Sequence, residues 1–347
     1  MKDNCERIFK EAARYARMPD EAIADHFKTS IKDENKKIKI LRGEIEGMPV
    51  AFPVLEKDSY VGEGSFGVVS MYRELISHKL LSIKLLNDGL DNSSEEMRSC
   101  RKTRTSLAHC FLGDSIVMNR GIGQLEGNVV ECLDYVPGKN LHEFLEYDAP
   151  SVQEEVFLAY DIAKGLEDLH NRNLIYRDLK PKNIIVSKIK KNKSYKATII
   201  DLGLIINLKN YKEKIEAKTS PYGSMGSTPP EAFLFDNPTS EKEFKKMALA
   251  YDAYSFGITL AKMFGYKIWM PQSDGTCLSF DNTRYTFEGR SFEKDLIAAL
   301  KRNEKILIDF KDNTPKEIIG IIEGLTHLDW HERLTVNEAK AAIGRLL

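Results

Sequence analysis

Apolar positions near the start of the chain recur at helical spacing. Ile8, Phe9, Ala12, Ala13, Tyr15 and Ala16 line up this way, so residues 3–28 are expected to form one or two helices. Met18-Pro19 interrupts the pattern, and Asp20 is placed to cap a second segment from Glu21 to Phe27. A charged stretch, Lys28 to Lys39, leads into strand-like runs at Ile38–Leu41 and Val50–Leu55. Short runs of β-formers follow at Val68–Tyr72, Leu80–Leu86 and Ile184–Val186, which are expected to be strands. The pattern then changes period. Val156, Ala159, Tyr160, Ala163, Leu166 and Leu169 fall on one side of a helix from Val156 to Asn171. Tyr251 to Phe264 is apolar almost all round, as a buried core helix is, and Ile318–Leu325 and Val336–Leu347 are further helices.

Composition narrows the function classes. The 347 residues are 42% hydrophobic and 30% charged, enough for one large core or two moderate ones. The net charge of −1 argues against a dedicated nucleic-acid binder or a membrane-surface protein. No apolar run approaches the roughly 18–20 residues of a membrane span. Met1 to Glu6 lacks the basic-then-apolar pattern of a secretory signal. The five cysteines are scattered, with no Cys-x-x-Cys pair, so the expectation is free thiols in a reducing, cytoplasmic compartment.

Three stretches carry candidate chemistry. Gly62-Glu63-Gly64-Ser65-Phe66-Gly67 precedes Val68-Val69. Its glycines allow close approach to phosphates, and the pattern also fits a dinucleotide fingerprint. A dinucleotide site requires a helix next, whereas Val68–Tyr72 reads as a strand, so the loop is a β-hairpin lid. Lys84 lies inside the apolar run Leu80–Leu86, where an inward ammonium is costly without an anion, and a phosphate supplies one. Tyr176-Arg177-Asp178-Leu179-Lys180-Pro181-Lys182-Asn183 is a compact set of acid, base and amide, and Asp201-Leu202-Gly203 ends the next apolar run. A carboxylate beside an acceptor hydroxyl, with oxygen ligands for Mg²⁺, suits phosphoryl transfer.

In this order the motifs resemble those of the eukaryotic-type protein kinases, over roughly Tyr60 to the C-terminus. The glycine loop, Ser82-Ile83-Lys84, the Tyr176–Asn183 loop and Asp201-Leu202-Gly203 all fit. So do Gly223-Ser224 with Pro230-Glu231, Asp252 to Gly257, and Arg333 in Asp329–Thr335. The resemblance implies an α+β, bilobal kinase fold, with a small β-rich N-lobe and a larger, mostly helical C-lobe. Residues 1–56 would be an N-terminal helical and strand extension, 57–136 the N-lobe and hinge, and 137–347 the C-lobe. It implies an ATP-dependent Ser/Thr protein kinase that also phosphorylates itself, with ATP and Mg²⁺ (or Mn²⁺) as cofactors and proteins as substrates. Asp178 would orient the acceptor hydroxyl, Lys180 neutralise the moving phosphoryl group, Lys84 hold phosphates, and Asn183 and Asp201 bind metal. The nucleotide would contact Gly62, Glu63, Gly64, Ser65, Phe66, Gly67, Val69, Ser82, Leu133, Asp134, Val136 and Ile185. Asp252 would hold the catalytic loop and Arg333 pair with Glu231. Arg177 would receive a phosphate from Ser220 or Thr219. Ser82 departs from the usual Ala and Tyr176 from the commoner His. Lys180-Pro181 favour Ser/Thr acceptors, and Lys182 argues against basic substrates.

The helix after the lysine strand is where the resemblance thins. Family kinases pair the lysine with a helix glutamate. Glu95 and Glu96 are the nearby acids, with Glu96 the expected partner. The usual register counted back from Ile116-Val117 lands instead at Thr103-Arg104, with Leu107, Ala108 and Phe111 at helical spacing beyond. The alternatives are a longer helix that keeps the pair, or an incomplete pair in a pseudokinase or scaffold awaiting an activating partner. The Lys- and Asn-rich composition suits a bacterial effector secreted into a host cytosol to act on host proteins.

Overall fold

Helical spacing at the N-terminus and alternation after residue 37 become distinct layers in the computed structural model. It describes residues 2–28, 31, 37–45, 48–64, 67–86, 94–189, 194–210, 226–234, 240–273, 277–280, 286–287, 290–302 and 304–347. The chain divides into two units, residues 1–112 with 117–136, and 113–116 with 137–347.

In the first unit, α1 (Lys2–Tyr15) and α2 (Asp20–Phe27) precede β1 (Ile38–Ile45), β2 (Met48–Gly64), β3 (Gly67–Glu74) and β4 (Leu80–Leu85). After α3 (Glu95–Ser106) come β5 (Asn119–Leu125) and β6 (Asn128–Asp134). The strands close into a barrel in the order β1-β2-β3-β4-β6-β5, with β1 meeting β5 from Leu41↔Leu125 to Gly43↔Gly123. Position 56 thus falls inside β2, and β1 is a stave of the barrel. Alternation sorts the side chains. Leu41, Val54, Tyr72, Ile83, Val130 and Cys132 form one core cluster, while Ile40, Val50 and Ala51 pack with Ala12, Tyr15 and Ile23 of the helices in another. A cavity of about 480 Å³ is bounded by Phe9 of α1 and by Leu41, Phe52 and Met118, and includes none of the expected nucleotide residues.

Two local expectations fail here for tertiary reasons. Asp20 does not cap α2; Pro19 occupies that position, without a side-chain bond. The Asp20 carboxylate instead accepts from Arg42 Nε (3.0 Å) and Nη2 (2.5 Å). The same guanidinium donates to the carbonyls of Ala16 (3.1 Å) and Met18 (2.8 Å), so one β1 side chain ties the turn between the helices. The spacing after Arg104 does not extend α3, for Leu107 is its C-cap and Phe111 is 61% exposed. His109 adopts φ 60° and its N–H donates to the Asn119 carbonyl at 2.8 Å, which peels the chain off the helix towards β5.

The second unit opens with β7 (Lys139–Asn140), α4 (Leu141–Tyr147) and α5 (Val152–His170). Next are β8 (Leu174–Ile175), β9 (Ile184–Lys188), β10 (Tyr195–Ile199) and β11 (Ile206–Asn207), then α6 (Pro230–Leu234) and α7 (Glu241–Phe264). It ends with β12 (Gly265–Pro271), β13 (Cys277–Ser279), β14 (Thr286–Phe287), β15 (Arg290–Ser291), α8 (Phe292–Lys301), β16 (Leu307–Phe310), α9 (Lys316–Leu325) and α10 (Val336–Gly344). Helix α5 starts four residues ahead of Val156 because Ser151 and Glu154 form a capping box. Helix α7 starts at Glu241, ahead of Tyr251, because Ser240 caps it. Leu158, Ile162 and Leu166 of α5, Phe256 and Leu260 of α7, and Ile318 and Ile322 of α9 are fully buried.

Gly138 admits no side chain. Its φ is 143°, and a Cβ would stand 2.1 Å from the Val186 carbonyl oxygen, backbone held by the β7–β9 pairing. Gly138→Ala is expected to cost roughly 1–3 kcal/mol, read as a lowered midpoint in urea unfolding.

Candidate active site

The loop from Tyr176 to Asn183 is held from below by one carboxylate. Asp252, on the buried helix α7, has no exposed surface. Its Oδ2 accepts from the Tyr176 N–H and its Oδ1 from the Arg177 N–H, both at 2.8 Å. His170 Nε2 lies 2.9 Å from Oδ2. These bonds hold Arg177 at φ 68°, a left-handed backbone that needs such support.

Asp178 is 5% exposed. Its Oδ2 accepts from Lys180 Nζ (2.9 Å) and Asn183 Nδ2 (2.8 Å), and Nδ2 also donates to the Asp178 carbonyl at 2.9 Å. With its nitrogen committed twice, the Asn183 amide has its oxygen as the remaining ligand atom. The 3₁₀ turn Pro181–Asn183 brings the two residues together.

Asp201 is joined to this loop by the pairing of β9 with β10 and of β8 with β11. The Ile200 N–H donates to the Asn183 carbonyl (2.9 Å), and the Tyr176 hydroxyl donates to the Ile200 carbonyl. Asp201 has φ 58°, and its Oδ1 accepts from the Gly203 N–H at 3.1 Å. Burial raises the Tyr176 hydroxyl well above its usual pKa, with Asp201 and Asp178 adding to the rise, so the phenol stays a neutral donor. Arg177 Nε donates to the Leu204 carbonyl at 2.9 Å. Oxygen donors from one carboxylate and one amide suit a hard cation such as Mg²⁺.

A second constellation lies further along the unit. Arg333 reaches Glu231 through two bonds, Nη1–Oε1 at 2.6 Å and Nη2–Oε2 at 2.9 Å. It also donates to the carbonyls of Ala250 (2.9 Å) and His327 (3.0 Å), and its guanidinium lies 5.0 Å from the Tyr254 ring centre.

In the first unit, alternation puts a row of expected nucleotide residues on one face. Val69 stands opposite Lys84, and Ser82 opposite Leu133. Lys84 is 4% exposed. Gly62↔Val69 and Gly64↔Gly67 close the β2–β3 hairpin, while Ser65 and Phe66 lie outside the described residues, as does Ser220. The Asp134 N–H donates to the Met118 carbonyl at 2.9 Å, and the Asp134 carboxylate takes both Arg120 Nε (2.6 Å) and Nη2 (2.8 Å).

The model of the protein kinase domain family matches residues 55–342. The chain belongs to the protein kinase family. It is 27% identical over 243 residues to mitogen-activated protein kinase kinase kinase 3 of Arabidopsis thaliana, covering 69% of this chain and 37% of that protein. It is 28% identical over 231 residues to serine/threonine-protein kinase dst4 of Dictyostelium discoideum, covering 65% and 43%. Mitogen-activated protein kinase pmk-1 of Caenorhabditis elegans is 25% identical over 297 residues, covering 80% and 72%. The chain thus spans less than half the length of the first two relatives.

Within this kinase, sequence reasoning passed over His170, the Tyr176 hydroxyl and Glu131. A signal existed for Glu131, a charge inside the apolar run Val129–Leu133 that invites the same argument as Lys84. Glu96 lies in the first turn of α3.

Proposed function

We propose that this kinase transfers the γ-phosphoryl group of ATP to Ser or Thr hydroxyls of proteins. The observation that carries the reading is the Asp178–Lys180–Asn183 cluster, built on a loop whose backbone is bonded to buried Asp252. Asp178 orients the acceptor hydroxyl and takes its proton as the new O–P bond forms and ADP leaves. Lys180 balances charge on the moving group, and Lys84 holds the α- and β-phosphates. The Asp134 carbonyl and the Val136 backbone meet the adenine edge, with Val69, Ser82, Leu133 and Ile185 against its ring. Asn183 Oδ1 and Asp201 hold Mg²⁺ (or Mn²⁺), which when bound neutralises the phosphates. Glu231 and Arg333 hold the end of the segment that receives protein substrate.

Labelled γ-phosphate from ATP should enter a generic protein substrate only with Mg²⁺ or Mn²⁺, and acid hydrolysis should return phosphoserine or phosphothreonine. Label confined to tyrosine or to small alcohols would reject the reading. Self-phosphorylation is proposed at Thr219 or Ser220, with Arg177 as the receiving cation. Mass spectrometry of active protein with neither residue modified would refute that assignment.

A further inference from the structure

The apolar cavity of the first unit has a cause in the sequence. Leu41 of β1 and Leu125 of β5 are strand partners, and both belong to the inner core cluster. Side chains alternate along a strand, so the next positions on that face are Gly43 and Gly123, which are partners too. Neither strand places a side chain there. Gly123 is compelled, because a Cβ on it would stand 2.5 Å from the Arg42 carbonyl oxygen of β1. Gly43 is not. Its backbone lies outside the left-handed region, and a Cβ on it would meet nothing nearer than the Ile122 carbonyl oxygen, at 3.7 Å. Glycine inside a strand is costly, and at position 43 it also leaves the space beside it unfilled.

That space, about 480 Å³, is of the size of small-molecule pockets, roughly 300–1,000 Å³. Several charged groups of its lining are already committed. Arg42 is bonded to Asp20 and to the carbonyls of Ala16 and Met18, and Arg120 is paired with Asp134. The Glu74 carboxylate accepts from the N–H groups of Ile76 (2.5 Å) and Ser77 (2.7 Å). Glu44 and Lys79 are exposed and opposite in sign, so together they favour neither an anion nor a cation. Burial raises the Cys132 thiol above its usual pKa, which keeps it neutral. Phe9 from α1 and Leu41, Phe52, Leu81 and Met118 from the barrel supply apolar walls. An apolar space of this kind forfeits packing contacts while empty, offers water few partners, and takes up apolar molecules.

We propose that this cavity is a binding site for a neutral, largely apolar small molecule, held between α1 and the inner face of the barrel. It is separate from the residues proposed for ATP. Leu81 and Cys132 line the cavity, whereas Ser82 and Leu133, the next residues of β4 and β6, fall on the opposite face of the same strands. The site therefore stands whether or not Lys84 holds phosphate.

The full chain is titrated with the neutral fluorophore N-phenyl-1-naphthylamine. Emission should rise and saturate at one equivalent, and the probe should raise Tm, as a ligand of the folded state does. Excess Mg-ATP should leave the probe bound. Emission that does not saturate, an unmoved Tm, or displacement by Mg-ATP overturns the proposal. Gly43→Leu and Met118→Trp each put bulk into the cavity and should weaken the probe by at least about tenfold, since a side chain and a ligand cannot share the same space. Affinity unchanged in either folded variant also overturns it. If neither variant folds, the wild type locates the site. Crystals under xenon pressure should hold xenon against Leu41 and Phe52, as dry apolar cavities do, and absence of xenon there, or ordered water in its place, rejects the proposal.

Discussion

Replacing Asp178 with Asn is expected to lower kcat for phosphate transfer by about 10²–10⁴-fold, the usual worth of a positioned general base. The substitution keeps the shape of the side chain and removes its charge and its basic oxygen. Asp178 Oδ2 now receives both Lys180 Nζ (2.9 Å) and Asn183 Nδ2 (2.8 Å). An amide oxygen turned to the same place still accepts those donors, so the loop should fold and nucleotide should still bind. The loss belongs in kcat, with KM for ATP changed little. Single-turnover transfer and Tm measured together separate chemistry from folding. A variant that keeps activity within tenfold of wild type would show that Asp178 does not take the proton.

Arg333→Met should produce the largest loss of stability. The guanidinium makes both bonds to Glu231 and also donates to the carbonyls of Ala250 and His327. The two side chains are 0% and 4% exposed, so removing the cation leaves a buried carboxylate without its counter-charge. Breaking such a pair on one side costs about 3–5 kcal/mol. For a unit of this size the melting point should fall by roughly 6–20 °C. The paired variant Arg333→Met with Glu231→Gln should regain part of that fall, because the uncompensated charge is removed as well. A single variant that melts within about 2 °C of wild type would show that the pair does not hold α6 in place. Phosphate transfer to protein should fall along with stability, since Glu231 is proposed to end the segment that receives substrate.

Much of the candidate site was legible because its residues are contiguous. Tyr176 to Asn183 carries acid, base and amide within eight positions, and a 3₁₀ turn needs no distant partner to fold them together. Asp252 was legible as well, although it lies 76 residues from Tyr176, because its surroundings match a motif of their own. The failures came where a local rule met a partner distant in the chain. Asp20 is a competent cap on its own segment, yet Arg42 from β1 offers it a charge-assisted bond. Leu107 and Phe111 continue a helical spacing, yet the bond from His109 to Asn119 turns the chain away.

By itself the sequence determined the family, the longer helices and several of the strands, and most of the residues proposed to touch phosphate, metal and substrate. These are carried by periodicity and by motifs that repeat their order along the chain. Only the tertiary structure decided which charge meets the buried Glu131. Arg104 and Glu131 come from a helix and a strand, and the register count that reached Arg104 said nothing of its partner. The β4–β6 register and the closure of the barrel put Glu131 opposite Lys84 and Arg104 above it. Buried charge is settled by which opposite charge lies within a few ångströms, and that distance exists only once the sheet has closed.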